Sequence, residues 1–385
     1  MRIFLVVALI VAQACCATAS PARLHFGLLP SGPNDGITDV PGVRVAHLTK
    51  ISGTDVRTGA TAIVPNSDPW NHKVAAATQA FNGNGEMTGT HWIDEAGYLE
   101  TPIILTDTLD VGRADDGVVS WMEQHYPQIG VHDDVPLPAV VECDDQSLND
   151  IRGRHVSADD IVGLLDSART GQFARGSVGA GTGMRAFGFK AGIGSASRVI
   201  PKKLGGYTVG VLVNDNTSSM RELLTIGGVH VGEALKNEYL PVYPKRTGFI
   251  RPLRGRQSDG SIAIIVATDA PLDSRQLHAV AKRIELGMGR VGLTSTVGSG
   301  DLFLAFSTGY TYSRDAELNI MPPQGQLSED EEMLNAIYLA TVEATEHAIY
   351  DALLSARTMT GRNGVTVYGL PRDRVEQMLR SAAPK

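Results

Sequence analysis

The residues with the greatest chemical reach in this chain stand beside glycines. Gly260-Ser261 joins a polar turn, Gln257 to Gly260, to an apolar, β-branched run, Ser261 to Thr268, that predicts a buried strand. A hydroxyl at that junction could attack the Gly260 carbonyl, because a residue without Cβ lets the backbone approach and distort. Breaking the peptide bond would give Ser261 its own α-amine, with a reference pKa of about 8. Nucleophile and base would then sit in one residue. The plainer alternative is a serine that merely opens a strand, and Gly176-Ser177, Gly194-Ser195 and Gly298-Ser299 share the same form.

A second constellation is Gly298-Ser299-Gly300-Asp301. Ser299 and Asp301 would point the same way if a strand pleat begins there; otherwise the run is an ordinary turn. Ser261 and Ser299 both open strands that flank one helix, and a right-handed βαβ unit puts such starts on one edge of a sheet. Asn216, after a buried strand, could donate an amide hydrogen to an oxyanion, or simply form a turn in Asn214-Asp215-Asn216. Glu142, at the end of an apolar strand, could hold a substrate ammonium, or be a solvated strand end. Gly179-Ala-Gly-Thr-Gly183 lacks the last glycine of a dinucleotide fingerprint and reads better as a close-packed turn. No G-x-S-x-G, S-x-x-K or H-E-x-x-H is present. The ten His are scattered without metal-ligand spacing, so no metal or cofactor is expected. Asp115-Asp116 and Asp159-Asp160 read as helix-start charges.

The elements that must position these residues alternate between strand and helix. Residues 20–60 are loop-rich. Short strands are expected at Thr61–Val64, Pro102–Leu105, Pro138–Cys143 and Tyr207–Val213, and part of a helix at 118–124. Ser157 to Asp160 predicts a capped helix start. Residues 236–260 are basic and rich in Pro and Gly, an exposed linker suited to cutting. Beyond it, strand 261–267 leads to a helix capped by Asp273-Ser274 and ended by Gly287 and Gly289. A strand over 302–306 follows, then a long helix from a capping box at Ser328 to Glu331, with Gly361 as its stop. The pattern is that of an α/β protein.

Bulk properties bound the function. With 43% hydrophobic and 20% charged residues the chain can bury a sizeable core, and a net charge of −8 argues against a nucleic-acid surface. Residues 1–19 read as a secretory signal: Arg2, a short apolar run, then the small-x-small triplet Ala17-Thr18-Ala19. Its removal would leave Cys143 alone, without an internal disulfide. A periplasmic or secreted protein is expected, with no membrane association after signal removal.

Several runs together resemble the DmpA-type aminopeptidases, the L-aminopeptidase/D-amidases and β-peptidyl aminopeptidases. They are Gly36-Ile-Thr-Asp-Val-Pro-Gly-Val-Arg-Val45, Asn84-Gly-Glu-Met-Thr-Gly-Thr-His-Trp92, Gly176-Ser-Val-Gly-Ala-Gly-Thr-Gly-Met184, Tyr207-Thr-Val-Gly-Val-Leu-Val213, Ala267-Thr-Asp-Ala-Pro-Leu272 and Thr358-Met-Thr-Gly361. The resemblance implies a four-layer αββα sandwich of the kind shared with ornithine acetyltransferases. It implies one self-cleavage, here at Gly260-Ser261, which divides the mature chain into 20–260 and 261–385. It assigns Ser261 as nucleophile, Ser299 and Asp301 as its partners, Asn216 as the oxyanion donor and Glu142 as the group that binds the free amine of a peptide or amino-acid amide. It implies a homo-oligomer of processed pairs. Two positions depart from the family: Asp301 stands where Glu is usual, and Asp144 where an aromatic residue lines the substrate site. These departures keep an inactive binding homologue open as an alternative; the related self-cleaving fold keeps open an acyltransferase of the ornithine acetyltransferase type, against which Ser261 and the secretion signal argue.

Overall fold

The computed structural model describes residues 24–217, 220–244, 260–323, 325 and 329–382. The signal reading at 1–19, the proposed cap Ser328 and most of the linker, 245–259, lie outside these residues. The strands are β1 (Arg44–Ser52), β2 (Val56–Val64), β3 (His72–Gly83), β4 (Tyr98–Leu99), β5 (Ile103–Thr106), β6 (Ala139–Glu142), β7 (Arg185–Ala186), β8 (Phe189–Lys190), β9 (Ile193–Val199), β10 (Thr208–Asn216), β11 (Ser261–Thr268) and β12 (Gly300–Ser313). The α-helices are α1 (Thr90–Ala96), α2 (Val111–His125), α3 (Ala158–Asp166), α4 (Val231–Ala234), α5 (Ser274–Ala281), α6 (Ile284–Val291), α7 (Glu331–Leu354) and α8 (Arg372–Ala382).

Two sheets face each other. One has four strands in the order β1-β2-β5-β6, the other six in the order β4-β3-β12-β11-β10-β9. Alternation along the strands decides the layers. Ala263, Ile265, Leu302 and Leu304 meet Ile103, Leu105, Ala139 and Val141 between the sheets. The opposite side chains, Ile262, Ile264, Phe303 and Ala305, pack under Leu277, Val280, Ile284, Ile337 and Ala348 of α5, α6 and α7. Val140 and Ile104 pack under α2 and α3 through Val118, Met122, Ile161 and Leu165. The result is the four-layer αββα sandwich. Each layer boundary removes a continuous apolar stripe from water, at roughly 25 cal/mol per Å² of apolar surface. Among the described residues no helix is long and apolar enough to cross a membrane.

The expected strands and the Ser157 cap are present; Ser157 Oγ and Asp160 cap α3 reciprocally. Other expectations need correction. The loop-rich stretch 20–60 holds β1 and the start of β2. Asn214 to Asn216 are not a turn but the last residues of β10. Gly287 and Gly289 lie inside α6; the first helix instead ends at Ala281, and Gly292, at φ 96°, closes the second. Gly287 stays helical because a Cβ there would fall 2.7 Å from Thr345 Cβ of α7, so the glycine permits close helix packing. The long helix is capped by Asp330, whose side chain accepts from Met333 N at 2.7 Å, and it ends at Leu354, well before Gly361. Asp115 sits within α2 and accepts from Thr88 Oγ1 at 3.1 Å, so it is not a helix-start charge.

Candidate active site

Three adjacent strands bring the predicted residues together. β10 runs antiparallel to β11, and the register places Asn216 opposite Ser261. Asn216 Nδ2 lies 3.3 Å from Ser261 Oγ and donates at 2.8 Å to the Asp144 carbonyl. Its Oδ1 accepts from Arg185 N at 3.2 Å, so backbone groups on both sides fix which way the amide points.

β12 runs parallel to β11, with Ser261 opposite Gly300. The two strand starts therefore share one edge, joined by a crossover through α5 and α6. Gly300 N donates at 3.1 Å to the Gly260 carbonyl. Ser299 Oγ donates at 2.6 Å to Asp301 Oδ1, as the alternation of a strand requires. Asn82 on β3 sits opposite Asp301 and donates from Nδ2 to Asp301 Oδ2 at 3.2 Å. Ser261, Ser299, Asp301 and Asn216 are all buried.

Glu142 comes from the other sheet, at the end of β6. Thr108 Oγ1 donates a short hydrogen bond to its Oε2, and Glu86 N donates at 3.2 Å to its Oε1. Burial raises its pKa above the usual carboxylate value, against the pull of those two donors. Gly85 holds the sheets' ends close. A Cβ on it would fall 3.0 Å from Glu142 Oε1 and 3.4 Å from Gly300 Cα. A Cβ on Gly300 would fall 2.4 Å from the Asn84 carbonyl. At Gly300 no larger residue fits without displacing backbone, whereas at Gly85 the Glu142 and Leu302 side chains would have to give by a few tenths of an ångström.

Asp144 follows in the turn after β6. Its carboxylate accepts from Gln146 N at 2.8 Å and from Gln146 Nε2 at 2.6 Å, while its carbonyl receives the Asn216 amide. Between Glu142 and Asp144 the buried Cys143 thiol donates to the Asn214 carbonyl at 3.5 Å. Burial holds that thiol well above its ordinary pKa, so it packs as a small apolar group rather than a nucleophile.

Sequence reasoning missed Asn82, Thr108 and the backbone of Gly85-Glu86. The last two belong to the run 84–92 noted above, whose glycine was the available signal. Asn82 and Thr108 have no local pattern that marks them. The Gly179 turn is the packed element expected: a Cβ on Gly179 would fall 2.3 Å from Thr61 Oγ1.

The arrangement can run acyl-transfer chemistry: a hydroxyl, an amide donor beside it, a hydroxyl–carboxylate pair at the neighbouring strand start and a facing carboxylate. The comparisons agree with it. The model of peptidase family S58 matches residues 35–367. The chain is 40% identical over 363 residues to a β-peptidyl aminopeptidase of Sphingosinicella microcystinivorans, covering 91% of this chain and 88% of that protein. The β-aminopeptidase of a Burkholderia species superposes with a TM-score of 0.83 at 37% identity, covering 94% and 98%. The L-aminopeptidase D-Ala-esterase/amidase of Ochrobactrum anthropi, a serine aminopeptidase with a variant of the Ntn-hydrolase fold, superposes with a TM-score of 0.80 at 36% identity, covering 92% and 96%.

Proposed function

The chain belongs to peptidase family S58, and from that premise we propose that this aminopeptidase cuts itself at Gly260-Ser261 and then uses Ser261 as an N-terminal nucleophile. The observation that carries the reading is Ser261 Oγ at a strand start, 3.3 Å from Asn216 Nδ2, beside a Gly260 carbonyl that accepts from Gly300 N. That donor favours negative charge on the Gly260 oxygen as Ser261 Oγ attacks its carbon. The C–N bond breaks, Ser261 nitrogen becomes a free amine, and water hydrolyses the Gly260 ester to a carboxylate.

In turnover the Ser261 amine takes the Oγ proton as Oγ attacks the carbonyl of the substrate's first residue. Asn216 Nδ2 turns its hydrogen to the oxyanion. The amine's proton then passes to the leaving nitrogen, and water hydrolyses the acyl-enzyme. Ser299 and Asp301 hold the amine's charge. Glu142 binds the substrate's free ammonium, which limits cutting to the N-terminus, and Asp144 lines the same subsite.

Peptides and amino-acid amides or esters are the proposed substrates, β-residues among them given the relatives' activities. We place the protein in the periplasm or outside the cell after loss of residues 1–19, as a homo-oligomer of processed pairs. Intact-mass analysis tests the cut: two chains are expected, the smaller beginning at Ser261. A single uncut chain that nevertheless hydrolyses alanine amide would overturn the mechanism.

A further inference from the structure

Asp215 is a buried carboxylate that none of these steps uses. Val209, Val211 and Val213 precede it on the helix-facing side of β10, whereas Asn216 faces the space between the sheets with Ser261. Its Oδ1 accepts from Thr217 N at 3.2 Å, and its Oδ2, fully buried, has no hydrogen-bond partner among the described residues. An ionised oxygen left so is costly unless a cation arrives.

The ladder shows where a cation would come from. Asp215 lies opposite Ile262, and Ile262 lies opposite Asp301. One carboxylate from each neighbouring strand thus flanks the second residue of β11 on the same face. The Gly260 carbonyl points to β12, where Gly300 N donates to it. In a trans peptide the N–H of the same unit points the other way, so Ser261 nitrogen is directed to β10, the strand of Asp215.

Burial raises the Asp215 pKa to about 7 against the pull of Thr217, and the field of Asp301 adds a smaller rise. The neighbouring elements carry other charged or titratable groups among the described residues. Arg185 on β7 reaches the Tyr243 hydroxyl, and Arg221 is engaged by the carbonyls of Gly188 and Tyr239. Glu222 acts on Arg221, and the Cys143 thiol feels Asp215 across the sheet.

We infer that Asp215 is a second charge partner of the Ser261 α-ammonium, holding it from the β10 side as Asp301 does from the β12 side. Cutting creates the cation, and Asp215 ionises against it. The pair then sets the pH at which the amine becomes the free base that takes the Oγ proton. This inference rests on the proposed Ser261 chemistry.

The test is the pH dependence of kcat/KM for processed Asp215→Asn, alongside NMR titration of the Ser261 amine in protein labelled with ¹⁵N-serine. A carboxylate raises the pKa of an adjacent ammonium, so its loss lowers it. The acidic limb and the titration should both move down by about one pH unit, and Asp301→Asn should move them the same way. Asp215→Ser serves where the Asn variant fails to process. A limb and titration that overlay wild type in a processed variant overturn the inference. So does a folded but uncut chain in both variants, which would place Asp215 in the cleavage step instead. Uncut wild type, or wild-type activity that survives Ser261→Ala, would instead overturn the proposed Ser261 chemistry.

Discussion

The two sheets deliver their polar ends by different means. In the six-stranded sheet the hydrogen-bond register does the positioning: Asn216, Ser261 and Gly300 stand in one row across three strands, with Asp301 a residue further along. In the four-stranded sheet Glu142 ends the edge strand β6 and is aimed by loop groups, Thr108 Oγ1 and Glu86 N. A ladder cannot shift one residue without turning every side chain to the wrong face, whereas loop hydrogen bonds can be changed singly. On the proposed roles, chemistry is therefore fixed by the backbone, and recognition is left adjustable. The Asp144 departure falls on the adjustable side.

The comparison breaks hardest at the register row. Ser261→Ala should abolish both the cut and hydrolysis, a loss on the order of 10⁶ in kcat. The check is an intact mass of one chain; two fragments from this variant would mean that another protease does the cutting. Asn216→Ala should process slowly and lose about 10²–10³ in kcat with a smaller change in KM. A pure KM effect would move Asn216 to the recognition side.

Glu142→Gln should leave kcat within a few-fold and raise KM for free-amine substrates by about tenfold or more, the size of a charge-assisted hydrogen bond. In wild type the carboxylate must be ionised to hold the ammonium. Since burial raises its pKa, KM should climb as pH falls while still above the ordinary carboxylate range, and the Gln variant should lack that climb. Gly85→Ala is the smallest and sharpest test, because its Cβ would press on both Glu142 Oε1 and the start of β12. KM should rise about two- to fivefold with cutting intact, consistent with a contact that the side chain can partly relax. Lost cutting instead would show that the loop also sets the register.

The proposed nucleophile's half was legible in the sequence because its signals are local. A glycine turn, a hydroxyl and a β-branched run make Ser261 visible, and Gly-Ser-Gly-Asp marks Ser299 and Asp301. Glu142 was visible as a strand end. Its aiming groups were not, since Thr108 and Glu86 belong to segments whose proximity to β6 is purely tertiary. β3 was missed because its run of Ala75, Ala76 and Ala77 has weak strand propensity; it pairs with β12 because small residues suit the core on both faces. Asn214 to Asn216 looked like a turn by composition. Burial at the end of β10 overrides that preference, and the polar residues thereby become available for chemistry.

β11 lies third from one edge of its sheet, bonded to β10 on one flank and β12 on the other. A break before Ser261 would sever the covalent link to β10 while the ladder bonds beyond Ser261 stay in place. The fragment that starts at Ser261 owns β11, β12 and α5 to α8, and the fragment before it owns the rest of both sheets. Neither holds a complete core. Assembly would thus precede maturation, and the order cannot be reversed: once cut and fully denatured, the halves must find each other in solution. Their recovery then depends on concentration, while the uncut Ser261→Ala chain would refold at a rate independent of it. Cut in this way, the mature molecule would persist by the height of its unfolding barrier, as a heteromer made from a single gene product.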